Sequence, residues 1–231
     1  MINKIAVLIP VLNPDNKLLD LVSALREKFS CIVVVNDGST EGIEVINSLK
    51  KGGRIVVLEH PYNKGKGAAL KTGMQWLYEK TPDVDGVVTA DSDGQHTPCD
   101  IERIAAALET QHQGLVLGVR DFHNDVPFRS RFGNILTRLV FKALTGLDVK
   151  DTQTGLRGIP RQLVPRLLKI PGDRYEYEMR MLADCKYHMR RPVQVDIATI
   201  YIAGNASSHF HPVRDSIKIW SALIKYRFFG K

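Results

Sequence analysis

Cysteine is scarce in this 231-residue chain: Cys31, Cys99 and Cys185 stand far apart, without a CxxC or Cys/His ligand spacing. That argues against a disulfide framework or a sequence-readable zinc site, and it fits reduced, structural thiols in a cytosolic setting. Long apolar runs are missing too. None approaches the roughly 18 residues of a membrane-spanning helix, so a soluble or membrane-peripheral protein is expected. Met1-Ile2-Asn3-Lys4 leads straight into an apolar run, so no secretory leader is expected. Aromatic residues make up 7% and interleave with no basic strand, which speaks against a base-stacking platform for nucleic acid. Acidic residues are outnumbered, 25 Asp and Glu against 32 Lys and Arg, for a net charge of +7. Nucleotide phosphates or an acidic membrane surface are partners that such a charge suits. Repeats, low-complexity tracts and linkers are also absent. One domain over residues 1–231 is the expectation, a length that α/β folds reach as single units.

What is present is alternation. Short β-branched runs at 5–9, 32–35, 55–58, 87–90 and 115–119 are separated by amphipathic stretches at 15–28, 41–51, 67–80 and 98–109. Strand and helix in strict turn predict βαβ crossovers and a doubly wound, mostly parallel sheet with helices on both faces. Continuous Val/Ile runs suit strands covered on both sides. Thr97-Pro98 reads as a helix N-cap followed by Pro at the first helical position. The later part is less regular: helices at 129–144 and 175–188, strands at 155–159 and 193–200, a polar loop at 204–208 and a last helix at 212–229. The expected divisions are a regular alternating half (1–120), a less regular half (121–211) and a C-terminal amphipathic helix (212–231).

The most telling segment is Asp91-Ser92-Asp93-Gly94-Gln95-His96, directly behind the run Gly86-Val87-Val88-Thr89-Ala90. Two carboxylates one residue apart at a strand's carboxyl end sit where open α/β sheets bind ligands. Two hard oxygen donors suit one divalent cation that also holds phosphate oxygens. A plain turn is the competing reading, since Asp, Ser and Gly all favour turns. Two further strands end in polar turns at the same edge. The first runs through Pro10 into Val11-Leu12-Asn13, the second into Asn36-Asp37-Gly38-Ser39. Asp37 can accept hydrogen bonds from a base edge or a ribose hydroxyl; its structural alternative is an Asx turn. Asn63-Lys64-Gly65-Lys66-Gly67 is a basic, Gly-rich entry to a helix N-terminus, an anion site in chemistry. It matches neither a dinucleotide fingerprint nor a P-loop.

Taken in order, these four strand-end motifs closely resemble those of the family 2 glycosyltransferases with a GT-A fold, specifically the dolichyl/polyprenyl-phosphate sugar synthase branch. The resemblance extends through Gly118-Val119-Arg120, Arg129-Ser130-Arg131, Asp151-Thr152-Gln153-Thr154-Gly155-Leu156-Arg157 and Ser207-Ser208-His209-Phe210, nearly the whole chain. It implies a hexosyltransferase using a GDP- or UDP-linked sugar and Mg²⁺ or Mn²⁺. By resemblance, Pro10, Asn13 and Asp37 hold base and ribose. Lys64, Gly67, Asp91 and Gln95 hold the diphosphate, and Asp91 with Asp93 holds the metal. Arg120 and Arg131 contact donor or acceptor phosphate, and Asp151 stands near the acceptor. Asn36 replaces a common Asp, and Leu12-Asn13-Pro14 replaces the usual Tyr-Asn-Glu.

The chemistry is consistent with that resemblance. A metal neutralises charge on a departing nucleoside diphosphate. A phosphate acceptor is already ionised at neutral pH and is best held by arginines. A saccharide hydroxyl would need a base, for which Asp151 is the candidate; an ion pair between Asp151 and Arg157 is the structural alternative. On a helical wheel Val213, Ile217, Trp220 and Ile224 share one face while Arg214, Lys218 and Lys225 gather on another, a pattern for core packing or an anionic bilayer surface. A lipid-phosphate acceptor, peripheral attachment at the inner membrane face and a separate membrane-protein partner are the matching expectations, with no nucleic-acid partner. A haloacid-dehalogenase phosphatase would need a further acidic pair, and no Asp-Asp dipeptide occurs. A non-catalytic nucleotide-sugar-binding module is the alternative of another class.

Overall fold

Ile5–Val11 (β1) is buried at every residue, because it lies at the centre of a sheet with helices on both faces. Ala6 and Leu8 point into one apolar layer; Ile5, Val7, Ile9 and Val11 point into the other. The computed structural model describes residues 2, 4–53, 55–110, 113–120, 128–198 and 200. Further strands are Ile32–Asn36 (β2), Ile55–Glu59 (β3), Gly86–Thr89 (β4), Gly114–Arg120 (β5), Arg157–Pro160 (β6) and Arg190–Ile197 (β7). The helices are Asn16–Arg26 (α1), Ile43–Lys51 (α2), Lys66–Lys80 (α3), Pro98–Thr110 (α4), Phe128–Thr145 (α5), Val164–Leu167 (α6) and Tyr175–His188 (α7). Leu18, Leu21, Val22 and Leu25 give α1 one buried stripe, and the Asp15 side chain caps it by accepting from the Lys17 N–H at 3.0 Å. Thr97 caps α4 as expected: its Oγ1 accepts from the Asp100 N–H at 3.0 Å.

Seven strands form one mixed sheet in the order β3-β2-β1-β4-β6-β5-β7, the α/β arrangement that the alternation predicts. All pairings are parallel except those of β6, which runs against both β4 and β5. That reversal positions the site. Thr89 at the end of β4 pairs with Arg157 at the start of β6, so residues 151–157 arrive at the same sheet edge as Asp91 and Asp93. The last strand begins three residues earlier than the 193–200 expectation, since an edge strand that pairs only with β5 tolerates Pro192. No helix among the described residues is long and apolar enough to cross a membrane. The expected loop at 204–208, the Ser207–Phe210 motif and the helix at 212–229 lie outside the described residues.

Candidate active site

Parallel strands bring the polar turns after β1, β2 and β4 together at one edge. The turn after β1 is locked by Asn13, whose φ of 52° is the left-handed conformation that Asn tolerates. Its side-chain oxygen accepts from the Thr40 and Glu41 N–H groups at 2.9 and 3.2 Å, and its own N–H donates to Ser39 Oγ. Asn13 therefore ties the first turn to the second. The Asx turn considered for Asp37 is made instead by Asn36, whose Oδ1 accepts from the Ser39 N–H at 3.0 Å. Asp37 reaches across the edge. Its buried carboxylate accepts from the Lys64 and Gly65 N–H groups at 2.9 and 2.7 Å, and lies 2.7 Å from His60 Nδ1. The far nitrogen of His60 is 2.9 Å from Thr72 Oγ1, so ring and carboxylate hold each other in place.

Those bonds fix the Gly-rich turn where α3 begins. Gly65, at φ 109°, packs so closely on the 173–174 loop that a Cβ would come within 2.3 Å of the Asp173 carbonyl oxygen. A Cβ on Gly67 would meet Tyr177 at 2.6 Å. Two glycines thus let α3 press against α7. The consequence falls on Lys66 between them. Its ammonium turns inward, 2.7 Å from Asp91 Oδ1 and 3.0 Å from Glu178 Oε2. Lys64 stays exposed, its ammonium 5.7 Å from the centre of the Tyr62 ring.

The acidic turn is held from behind. The Asp91 N–H donates to Nδ1 of the buried His96 at 2.9 Å, and the Gln95 N–H donates to Asp93 Oδ1 at 3.0 Å. Burial pushes the Asp91 carboxyl up, but the charges of Lys66, His96 and Arg120 together outweigh it and hold Asp91 at about 2. Asp93 is raised, by burial first and by the Asp91 charge next to it. Burial lowers His96. Lys66 is raised: burial alone would lower it, and its two carboxylate partners reverse that. One carboxylate is firmly ionised and its neighbour is strained by that charge, which a cation between them relieves. Among the described residues no three His, Cys, Asp or Glu side chains converge, so such a cation would complete its shell with phosphate oxygens and water.

A cleft of about 200 Å³ opens over these groups, lined among others by Pro10, Asp37, Lys66, Asp91, Asp93 and Arg174. Beside it, Arg120 at the end of β5 donates through Nε and a terminal nitrogen to the two oxygens of Asp151, at 2.7 and 3.3 Å. Asp151 is fully buried and also accepts from the Gln153 N–H. The ion pair of Asp151 is therefore with Arg120. Arg157, the partner considered from sequence, donates instead to the Thr154 and Glu178 carbonyl oxygens at 2.9 and 2.6 Å.

Residues 6–168 match the sequence profile of glycosyl transferase family 2, well over half of the chain. The chain belongs to that family. An uncharacterised protein of Methanocaldococcus jannaschii is 29% identical over 205 residues, 86% of this chain and 82% of that one. The UDP-N-acetylglucosamine–dolichyl-phosphate N-acetylglucosaminyltransferase of Methanococcus voltae is 28% identical over 218 residues, 85% of this chain and 86% of the relative. Glucosyl-3-phosphoglycerate synthase of Mycobacterium tuberculosis, solved with Mn²⁺, UDP and glucosyl-3-phosphoglycerate, superimposes with a TM-score of 0.70 at 22% identity, covering 97% of this chain and 79% of that one. The shared architecture is the GT-A fold.

In this glycosyltransferase the cleft gathers Pro10, Asp37, Asp91 and Asp93 of the residues singled out from sequence. Asn13, Lys64, Gly67 and Gln95 are not in its lining but brace the turns around it. Arg131 is carried on α5, with its side chain outside the described residues. Sequence reading missed Lys66 as an inward charge, and missed Arg174, Tyr175 and Glu178 altogether. The signal for α7 was indirect: glycines at 65 and 67 mark a close backbone approach, without saying to what. Arg120→Ala is expected to destabilise the glycosyltransferase by about 3–5 kcal/mol, because it strands a buried carboxylate. Chemical denaturation checks this, and a midpoint unchanged from wild type would contradict the pairing.

Proposed function

We propose that this glycosyltransferase moves a hexose from a GDP- or UDP-linked donor to a polyprenyl-phosphate-type acceptor, with inversion and with Mg²⁺ or Mn²⁺. The observation that carries the reading is the convergence of Asp91, Asp93 and Lys66 on one cleft at the start of α3. Asp91 and Asp93 would hold the cation, which supplies charge neutralisation for the departing nucleoside diphosphate. Lys66 and the N-terminal end of α3 would take phosphate oxygens. Support comes from the relatives: the Methanococcus voltae enzyme is named for a UDP-sugar donor and a dolichyl-phosphate acceptor, and the mycobacterial neighbour was solved with Mn²⁺ and UDP.

In the proposed displacement an acceptor phosphate oxygen forms a bond to the anomeric carbon as the bond to the donor diphosphate breaks on the opposite face. The acceptor oxygen arrives ionised, so no side chain has to remove a proton. The state of Asp151 favours this over transfer to a saccharide hydroxyl. A carboxylate fully buried and committed to Arg120 is poorly placed to act as a general base. Arg131 would hold the acceptor phosphate, for which a guanidinium fork suits, while Arg120, whose Nε and one terminal nitrogen are given to Asp151, would contribute its charge beside it.

Attachment to the membrane would be peripheral, at its inner face or through a separate membrane protein, and would weaken as salt rises. The test offers the protein a labelled nucleotide sugar with polyprenyl phosphate, free saccharides and peptides as competing acceptors. Label is expected in the lipid phosphate. Label in saccharide with none in lipid would overturn the acceptor and return Asp151 to the role of base.

A further inference from the structure

Glu178 is a buried carboxylate for which the transfer step has no use. It sits on α7, 7% exposed, with its Oε2 3.0 Å from the Lys66 ammonium. The same ammonium is 2.7 Å from Asp91 Oδ1. Lys66 is therefore suspended between one carboxylate of the candidate metal pair and a second carboxylate from outside it. Its backbone cannot shift easily, because the flanking glycines are packed against residues 173–177. Only the side chain has room to move, and it lines the cleft.

Asp91 and Glu178 together call for positive charge, and Lys66 already supplies one. A divalent cation approaching Asp91 meets that ammonium, which Glu178 keeps in the cleft while drawing it partly away from Asp91. Like charges at this range in a half-buried cleft repel strongly. A nucleoside diphosphate changes the balance, since its phosphate oxygens offer one anion to both the cation and Lys66.

We propose that Lys66, held by Glu178, is an internal counter-cation that makes divalent-cation binding at Asp91 conditional on the nucleoside diphosphate. The inference rests on the metal–diphosphate reading of the cleft. It makes Glu178 a positioning residue, acting through Lys66. Cation and nucleotide then strengthen each other's binding by the same factor.

The experiment is a Mn²⁺ titration followed by electron paramagnetic resonance, with and without UDP or GDP. It compares wild type with Lys66→Met, Lys66→Arg, Glu178→Gln and Asp93→Asn. Wild type is expected to bind Mn²⁺ weakly alone and more tightly with nucleotide. Lys66→Met should tighten Mn²⁺ binding without nucleotide by on the order of tenfold. The enhancement by nucleotide should shrink to match. Lys66→Arg should keep the wild-type coupling. Glu178→Gln leaves the ammonium to Asp91 alone and should weaken nucleotide-free binding. Opposite signs in the Met and Gln variants separate this device from general loosening, which weakens both. Unchanged or weaker Mn²⁺ binding in Lys66→Met overturns the inference. If Asp93→Asn meanwhile loses the Mn²⁺–nucleotide complex, the metal reading itself survives. Absence of Mn²⁺ binding in wild type with either nucleotide overturns both. Should Lys66→Met fail to fold, Glu178→Gln decides: tighter or unchanged nucleotide-free binding overturns the proposal.

Discussion

Asp93→Asn is expected to reduce sugar transfer by about three orders of magnitude or more while leaving the protein as stable as wild type, or more so. On the proposed reading, loss of one of the two carboxylates that would hold the cation removes charge stabilisation worth several kcal/mol from the departing diphosphate, and each ~1.4 kcal/mol is tenfold in rate. Stability moves the other way because the folded protein raises Asp93. A carboxyl that ionises less readily in the fold than in the unfolded chain costs stability. That cost grows as pH rises past the unfolded value, and Asn removes it. Asp91→Ala should be equally inactive but less stable, since it takes from Lys66 a partner at 2.7 Å. Thermal melts and transfer rates on both variants check the pair of outcomes. Metal-dependent nucleotide binding retained in both would remove these carboxylates from the site.

Gly155→Ala should also be damaging, although residue 155 does not line the cleft. A Cβ there would lie 2.3 Å from Asp91 Oδ2, well inside contact distance. Gly155 cannot easily retreat, because its carbonyl oxygen accepts from Thr89 Oγ1 at 2.8 Å beside the start of β6. Asp91 must move instead. Overpacking of this kind costs about 1–3 kcal/mol of stability. A misplacement of about 1 Å at a reacting centre costs on the order of a hundredfold in rate. Calorimetry and transfer kinetics on the variant test both numbers. Full activity with an unchanged melting temperature would show that Gly155 does not set the position of Asp91.

Much of the cleft was legible because parallel strands with short connections bring their C-terminal turns to one edge, in sequence order. The runs behind Asn13, Asp37 and Asp91 mark three such ends, and the helix that follows Gly67 needs only an amphipathic pattern. Tyr175–His188 was placed to the residue by that same pattern. The direction of β6 was not legible. A four-residue run, Arg157–Pro160, is equally apolar whichever way it points, and only its pairing with β4 and β5 decides. The role of Asp37 was half visible: a carboxylate at a strand end can face a ligand or a loop. Here it spends its oxygens on the Lys64 and Gly65 backbone. Glu178 and Arg174 were invisible because they sit about 110 residues beyond the turn they approach, and no local spacing encodes a contact between α7 and α3.

A crystal structure of the protein with Mn²⁺ and UDP or GDP tests the site most directly. Mn²⁺ is expected within roughly 2.0–2.6 Å of an Asp91 or Asp93 oxygen, the range for hard cations on carboxylates. The diphosphate is expected against Lys66 at the start of α3, and the base beyond it toward Asp37. A nucleotide bound more than about 10 Å from residues 64–67, roughly a Debye length at 0.1 M salt, with Asp91 still paired only to Lys66, would contradict it.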